Sequence, residues 1–423
     1  MLDDDTAPIP RTEGGRRPSA LAQAPRPDHR HDHRPPPPAS RRVRTLVGVL
    51  LAPFALAAVI GMVLLFEPTS GRAAGAATPV HGEVTAVVAG SCTTDVTVGA
   101  PTGDNCVTVT VRMTDGPAGG RSVSIVVPVE PSTPRFAAGD QVVLAYAGGD
   151  PLQGQSYQVV DFQRGVPLIL LAGLFAVAVL VFGRWQGLKS LVGLGLSFAV
   201  LVLFVLPAII AGHNPLLVAT CGAGVIMFAV LYLTHGLSAR TSTAVLGTLV
   251  SLALIGVLGA LFSVVTRLTG LDEDTGTLVG ALGHGIDTRG LLLAGLVIGA
   301  LGVLDDVTVT QASAIWELRA ARPAATRRQL YAAGVRIGRD HVSSAVNTLV
   351  MAYAGAALPV LLYSSIAGVG LGGILSSESV AQEILRALVG SIGLVAAVPL
   401  TTGLAALVAS QEGSPAVADR SRS

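Results

Sequence analysis

Two adjacent acids, Asp305 and Asp306, interrupt one of the most apolar stretches of the chain. They follow the run LLLAGLVIGALGVL and precede VTVTQASAIWEL, after which an Arg-rich segment begins. An acid inside a hydrophobic helix is costly to bury, so it is a candidate functional group by default. The chemistry it offers is the uptake and release of a proton or another cation, because burial disfavours the charged form of a carboxyl group.

Further polar residues continue from these acids along the same predicted helix. Four residues spaced at i, i+4, i+7 and i+11 share one helical face: Asp306, Thr310, Ser313 and Glu317. Asp305 lies about 100° away from this stripe and begins a shorter one with Thr308. We therefore expect this helix to turn its polar residues toward a neighbour and not toward lipid.

The next hydrophobic stretch begins with a second polar group. Its members are Asp340, His341, Ser344, Asn347 and Thr348. Two neighbouring helices could thus offer polar faces to each other, with the two aspartates binding a proton or ion and the second group completing the shell. A structural interpretation is also open: the aspartates stand at the lipid–water boundary, where they cap a helical segment or pair with Arg336, Arg339 or His341.

Composition places these residues in a membrane protein. Of the 423 residues, 51% are hydrophobic and only 13% are charged, and the mean hydropathy is +0.63, whereas soluble domains usually carry about 25% charged residues. The net charge of +1 and the aromatic content of 4% give no basic, aromatic-rich face for nucleic acid. The lipid bilayer is therefore the first expected partner, and nucleic acid is not one.

Eight hydrophobic segments are close to the roughly 20 residues that a membrane crossing needs. They cover about residues 46–66, 166–182, 191–211, 216–234, 243–265, 290–312, 343–363 and 387–408. Alternation collects the Arg-rich 319–339 segment with Arg184, Lys189 and Arg240 on one side, which predicts cytoplasmic termini in a bacterial inner membrane. Residues 318–340 are expected to lie along the membrane surface, and residues 278–286 to form a re-entrant or amphipathic piece.

The remaining parts of the chain differ in character. Residues 1–42 and 411–423 are predicted to be disordered cytoplasmic tails, residues 43–66 the first transmembrane helix, and residues 165–410 a seven-helix domain. Residues 67–164 contain short β-branched runs separated by Gly, Pro, Asp and Asn, which predicts a small extracytoplasmic β-barrel of OB-like type. Within it, Cys92 and Cys106 either form a disulfide or remain free thiols, because spacing alone does not decide the pairing.

Motifs of membrane enzymes do not occur in the sequence. There is no HExxH zinc motif, and Asp305 and Asp306 are adjacent instead of lying on two helices. Adjacent side chains point about 100° apart on a helix, which is a poor geometry for sharing one proton. No phosphate-cradling loop or nucleophile elbow is found. We therefore expect no enzymatic activity, no metal site and no cofactor.

Three long motifs resemble a known family: GVLDDVTVTQASAIWEL, GRDHVSSAVNTLVMAYAGAALPVLL and EILRALVGSIGLVAAVPLTT. Over most of residues 165–410 the chain resembles the YibE/F-like multi-pass membrane proteins of bacteria, and this resemblance implies a topology and no mechanism. The acid-bearing helix and the Ser-, Asn- and Thr-bearing helix after it are also similar to paired transmembrane helices of the resistance-nodulation-division superfamily and its Sec-associated export subunits. That second resemblance implies an acid that carries proton flux.

Together, these patterns predict an α-helical polytopic membrane protein with about eight transmembrane helices and a small extracytoplasmic β domain. The leading functional hypothesis is a permease, or an ion- or proton-coupled transport component, with a polar path for a small solute or ion near Asp306. The alternative is a non-transporting envelope scaffold or assembly factor whose β domain binds an envelope protein.

Overall fold

The fold combines one antiparallel sheet with a bundle of long helices. A computed structural model of the protein describes residues 41–68, 77–90, 92, 106–130, 133–282, 285–368 and 370–411. The predicted tails, residues 1–42 and 411–423, lie outside these ranges except at Arg41, Arg42 and Gln411, which are helical.

Five strands form the sheet. They are β1 (Thr78–Gly90), β2 (Cys106–Met113), β3 (Ser122–Pro128), β4 (Gln141–Tyr146) and β5 (Tyr157–Phe162), in the spatial order β3-β2-β1-β4-β5. All neighbouring strands are antiparallel, and a bulge lies between Val84 and Ala86 of β1. Alternate residues such as Val109 and Val111 of β2 are fully buried, as expected for strands with one covered face.

The sheet curls into a half-barrel. Gly154, in the turn before β5, lies so close to the carbonyl oxygen of Ser124 in β3 that a Cβ atom there would collide with it. The two edge strands therefore approach each other across the open side, and only glycine fits the contact. The sequence predicted a small β-barrel here, and the structure confirms a curled antiparallel sheet that forms half of one. Cys92 and Cys106 are joined by a disulfide with a Cα–Cα distance of 5.1 Å.

Eleven helices are found in the described residues. Their bounds are α1 Arg41–Leu64, α2 Gly165–Val200, α3 Leu206–Ile210, α4 Pro215–His235, α5 Ala239–Val265, α6 Glu273–Leu282, α7 Thr288–Ala321, α8 Arg327–Ala356, α9 Leu358–Ile366, α10 Leu371–Ser376 and α11 Glu378–Gln411. A π-helical turn, Leu201–Val205, joins α2 to α3. The short helix α6, with 10 residues, covers part of the ambiguous 278–286 stretch and is too short to cross a bilayer.

Six of these helical stretches in the described chain are long and apolar enough to cross a membrane, or seven if α8 and α9, which are bent by 50°, count as one span. The sequence predicted eight, because residues 165–210 were divided into two segments. Arg184 breaks the helix there with φ 50° and ψ −127°. Gly187 then packs against the backbone of Val179, two positions that an unbroken helix would hold about 12 Å apart.

Helix α5 packs antiparallel to α7 and to α11, and α8 packs antiparallel to α11, while α7 and α11 run in parallel. Gly259 of α5 lies against Leu296 of α7, while Gly338 of α8 lies against Val398 of α11. The C-terminal end of α5 therefore meets the N-terminal ends of α7 and α11, and we call this end of the bundle the cap end. There the carboxylate of Glu378 accepts hydrogen bonds from the backbone N–H groups of Thr269 (2.8 Å) and Gly270 (3.0 Å).

We call the opposite end of the bundle the arginine end. Its structure differs from the prediction that residues 318–340 lie along the membrane surface. Residues 318–340 do not form a separate surface segment: α7 continues to Ala321, and α8 begins at Arg327. Thr326 and Gln329 form a capping box that starts α8, because each side chain satisfies a free backbone N–H group of the first turn. Gly334 and Gly338 are buried, so the first half of α8 is part of the bundle.

Candidate functional site

The interior of the bundle contains a polar layer centred on α7. Asp305 stands at the middle of this 34-residue helix. The hydroxyl of Thr308, one turn further on, lies 2.8 Å from the hydroxyl of Thr248 in α5, and both threonines are fully buried. The Thr308 hydroxyl also donates to the backbone carbonyl oxygen of Asp305 at 3.3 Å, so Asp305 belongs to the same layer. Its Oδ1 atom is buried and has no hydrogen-bond partner among the described residues.

Gln311 extends the polar layer from α7 to α8 and α11. Its amide Nε2 donates to the backbone carbonyl of Gly334 and to the hydroxyl of Thr402, both at 2.7 Å. A Cβ atom at Gly334 or Gly338 would crowd the Gln311 side chain, so these two glycines make room for the amide between the helices. The buried amide is thereby fixed in one orientation by two acceptors.

Two further buried hydroxyl groups border this layer without partners in the described part of the chain. Thr401 of α11 packs against Gly247 of α5, the residue before Thr248, and Ser251 is one turn further along α5. Neither hydroxyl oxygen has a hydrogen-bond partner, although both residues are fully buried. Buried polar groups normally find partners. The layer around Asp305 therefore holds more hydrogen-bonding capacity than the protein itself uses.

The stripe that begins at Asp306 lies on the outside of the bundle. Asp306, Thr310 and Glu317 are exposed, and Ser313 is half-buried. The second predicted group is also exposed: Asp340, His341, Ser344, Asn347 and Thr348. Thr348 uses its hydroxyl to bond the backbone carbonyl of Ser344, at 3.1 Å. The structure thus turns Asp305 inward and Asp306 outward, and the packed interface between α7 and α8 at Gln311 is formed by other residues.

Sequence reasoning noted Thr308 but missed the rest of the polar layer. Thr248 and the adjacent pair Thr401 and Thr402 lie in apolar helices, where a threonine can bond the backbone of its own helix and therefore does not indicate a polar site. Thr402 does bond the carbonyl of Val398. The available clue was Gln311, because a glutamine within the predicted span 290–312 must find hydrogen-bond partners when it is buried.

Side-chain bonds also fix both ends of the bundle. At the arginine end, Arg327 donates to the hydroxyl of Ser410 at 2.8 Å, and Arg319 to the backbone carbonyl of Ala325 at 2.9 Å. At the cap end, the side chains of Asn214 and Asp287, which are the N-caps of α4 and α7, bond each other at 3.3 Å. Helices α4 and α7 therefore start at the same level and run in parallel.

The sheet carries its own charged contacts. The imidazole of His81 lies 2.6 Å from the Asp115 carboxylate, and the His81 backbone N–H donates to the same group at 2.5 Å. These two hydrogen bonds, the side-chain one first, hold the pKa of Asp115 below its usual range. No group of three or more His, Cys, Asp or Glu residues that could hold a metal ion occurs within the described ranges.

The comparisons with known proteins cover this bundle. Residues 171–411 match the YibE/F-like protein family, and this span includes Asp305, the polar layer and both polar groups predicted from the sequence. No match was found among curated proteins or among solved structures. Since the matched residues make up more than half of the chain, the protein belongs to the YibE/F-like family.

Proposed function

We propose that this protein is an ion- or proton-coupled transport component, or permease, of the bacterial inner membrane. One observation carries the proposal: a carboxyl oxygen of Asp305 is buried in the bundle without a partner among the described residues. An unpaired carboxylate in such a place is strongly unfavourable. Its charge must be balanced by a proton or another cation, and exchange of that cation is the chemistry that the site supports.

The surroundings of Asp305 fit exchange better than a permanent structural role. Structural buried acids usually have an arginine or lysine partner, and none of the ion pairs among the described residues involves Asp305. Its neighbours are hydroxyl groups, which can both donate and accept. Asp306 lies on the exposed face of the same helix. In this proposal it attracts the cation at the surface, and Asp305 binds the cation inside the bundle.

The proposed arrangement in the membrane follows from the helix ends. Two spans on either side of Arg184 would make eight crossings, with both termini cytoplasmic and the sheet outside. The arginine end of the bundle supports this orientation, because arginines concentrate on the cytoplasmic side of membrane proteins. The disulfide between Cys92 and Cys106 supports an extracytoplasmic sheet, since disulfides persist in oxidising compartments. Labelling of the reduced cysteines from the cytoplasmic side alone would contradict it.

The test of the transport proposal uses a carboxyl-selective reagent. Dicyclohexylcarbodiimide modifies protonated carboxyl groups in apolar surroundings, and peptide mass spectrometry locates the adduct. We expect an adduct on Asp305 and none in Asp305→Asn, while Asp306→Asn, the matched control one position away, keeps it. Protection by sodium chloride but not by potassium chloride would identify a sodium ion as the coupling cation. An adduct on Asp306 and none on Asp305 would contradict the assignment.

A second assay measures flux. The wild type and the two asparagine variants are reconstituted in liposomes that contain a pH-sensitive dye, and a potassium diffusion potential drives cation entry. We expect the flux to be lost in Asp305→Asn and largely kept in Asp306→Asn. Wild-type flux in Asp305→Asn, in a protein that folds and inserts normally, would remove Asp305 from the path.

An observation on the sheet favours one other function, that of a scaffold or assembly factor. A groove of about 430 Å³ is lined by apolar residues and by two charged ones, among them Val87, Val107, Phe136, Glu130 and Arg135. Such a mixed apolar and charged groove could receive a segment of an envelope protein. This function requires that deletion of residues 80–164 abolishes activity in cells while Asp305→Asn leaves it intact, which is the reverse of the expectation for transport.

A further inference from the structure

A second groove lies at the cap end of the bundle, far along α5 and α7 from the polar layer. It has a volume of about 280 Å³ and runs between the end of α5, helix α10 and the first half of α11. Its lining is almost wholly apolar and includes Phe262, Leu375, Ile384, Leu388 and Ile392. The chemistry of this lining suits an apolar ligand, since it offers few polar groups.

A cationic residue, Arg267, adjoins the lining of this groove along the chain. Thr266 and Leu268 line the groove, and Arg267 lies between them, exposed and with φ 57°. The other arginines near this end are engaged: Arg386 is paired with Glu383, and Arg289 donates to the carbonyl of Leu268 at 3.0 Å. The Arg267 guanidinium has no hydrogen-bond or ion-pair partner among the residues that the structure describes.

The order of these features matches a membrane phospholipid. Helix α5 ends at Val265, so Arg267 sits just beyond a hydrophobic helix, where head groups are found. The apolar lining continues inward along α11 toward Ile392, where acyl chains are found. Basic groups at pockets between transmembrane helices recognise anionic head groups. A helix of a second copy of the chain would fill the apolar part and leave the arginine unpaired.

We propose that this groove binds one anionic phospholipid, with an acyl chain between α5 and α11 and the head-group phosphate on Arg267. The site is separate from the polar layer and independent of the transport proposal. It would hold the ends of α5 and α11 together at the cap end, where Glu378 already binds the loop after α5.

Native mass spectrometry of the full chain in detergent tests this site, with dioleoyl phosphatidylglycerol and dioleoyl phosphatidylcholine as competing probes. We expect preferential retention of phosphatidylglycerol by the wild type. Arg267→Gln should weaken it about five-fold, the factor that corresponds to roughly 1 kcal/mol for one arginine, and should leave phosphatidylcholine binding unchanged. Arg267→Lys, which keeps the charge, should retain most of the preference.

A second variant separates the groove from the cation. Ile384→Trp fills the apolar part and should reduce retention of both lipids, whereas Leu261→Trp, on the exposed face of α5 and outside the lining, should not. Melting curves confirm that each variant is folded, and Leu388→Trp replaces Ile384→Trp if the latter is not. Unchanged lipid preference in Arg267→Gln overturns the proposal. So does a dimer in the wild type that Ile384→Trp converts to a monomer, since a second copy would then be the occupant.

Discussion

The half-barrel and the helix bundle differ in the polar atoms that their interiors contain. The core of the sheet is built from apolar side chains such as Val84, Val109, Val142 and Leu144, all fully buried. In the described residues, the four buried side-chain oxygens without partners all lie in α5, α7 and α11: Ser251, Asp305, Ser391 and Thr401. The sheet is thus organised for stability, while the bundle keeps polar capacity in its interior that stability does not require.

The largest expected loss of stability is in the sheet. Replacing Cys92 and Cys106 together by serine opens a loop with a sequence separation of 14 and should cost about 3 kcal/mol in the chain-entropy model. Urea-dependent protease cleavage of residues 106–162 measures the effect. A reducing agent should reproduce it in the wild type, whereas Cys221→Ser, in the bundle, should leave the cleavage midpoint of the sheet unchanged. An unchanged midpoint in the double variant would contradict the assigned role of the disulfide.

Within the bundle, the satisfied part of the polar layer should be the next most sensitive. Gln311→Leu leaves the carbonyl of Gly334 and the hydroxyl of Thr402 without their donor, which should cost about 2 kcal/mol. Thermal unfolding in detergent micelles measures the loss. Thr310→Val, on the exposed face of the same helix, is the matched control and should change the stability by less than about 0.5 kcal/mol. Equal losses in the two variants would mean that Gln311 is not held as described.

A smaller effect is expected for the His81–Asp115 pair, because both side chains are about half exposed. The pKa of Asp115 is lowered in the folded state, so its contribution is present above the ordinary value of 3.8 and is lost as the pH falls through the lowered value. At neutral pH it should be below about 1 kcal/mol. Asp115→Asn should abolish this part of the acid sensitivity of the sheet, as measured by protease cleavage between pH 5 and pH 3. A steeper acid transition in the variant would contradict the sign.

The smallest effect on stability is expected for a buried hydroxyl group without a partner. Ser251→Ala removes a buried hydroxyl that bonds nothing in the described structure, so the free energy of unfolding should change by less than about 0.5 kcal/mol, or rise slightly. Thr248→Val removes a hydroxyl that is bonded at 2.8 Å to Thr308 and should cost about 1 kcal/mol. If Ser251→Ala destabilises as much as Thr248→Val in the same melting assay, the distinction between hydrogen-bonded and unpaired buried hydroxyl groups is wrong.

Local patterns predicted the elements of the fold well. The β-branched run VTVTVRM at residues 107–113 lies within strand β2, which begins one residue earlier, at Cys106. Alternation of apolar and polar residues is the pattern of a strand with one buried face. The helices of the bundle are longer than the predicted spans: α7 reaches Ala321 and α11 begins at Glu378. Polar and charged residues extend these helices beyond the apolar runs, so hydropathy alone ends them too early.

The facing of α7 could not be predicted in the same way. Periodicity selects a helical face when one side is apolar and one is polar, but α7 packs against α4, α5, α8 and α11. In such a central helix, the neighbours decide which polar residue is inside. The longer stripe from Asp306 therefore suggested the wrong face for packing, and the shorter stripe from Asp305 through Thr308 is the buried one. The break at Arg184 falls between the predicted spans 166–182 and 191–211 and directly follows Gly183. The sequence thus indicated an interruption there, but not its backbone conformation.

Gln311 sets the rotational position of α7. The two aspartates are about 100° apart around the helix axis, so a turn of the helix by one residue would exchange them between the interior and the surface. The bonds from Gln311 to Gly334 and Thr402 lock one of these two settings from a position almost two turns beyond Asp305. Under the proposed function, Gln311 would therefore determine which of the two carboxylates meets a cation without binding that cation itself.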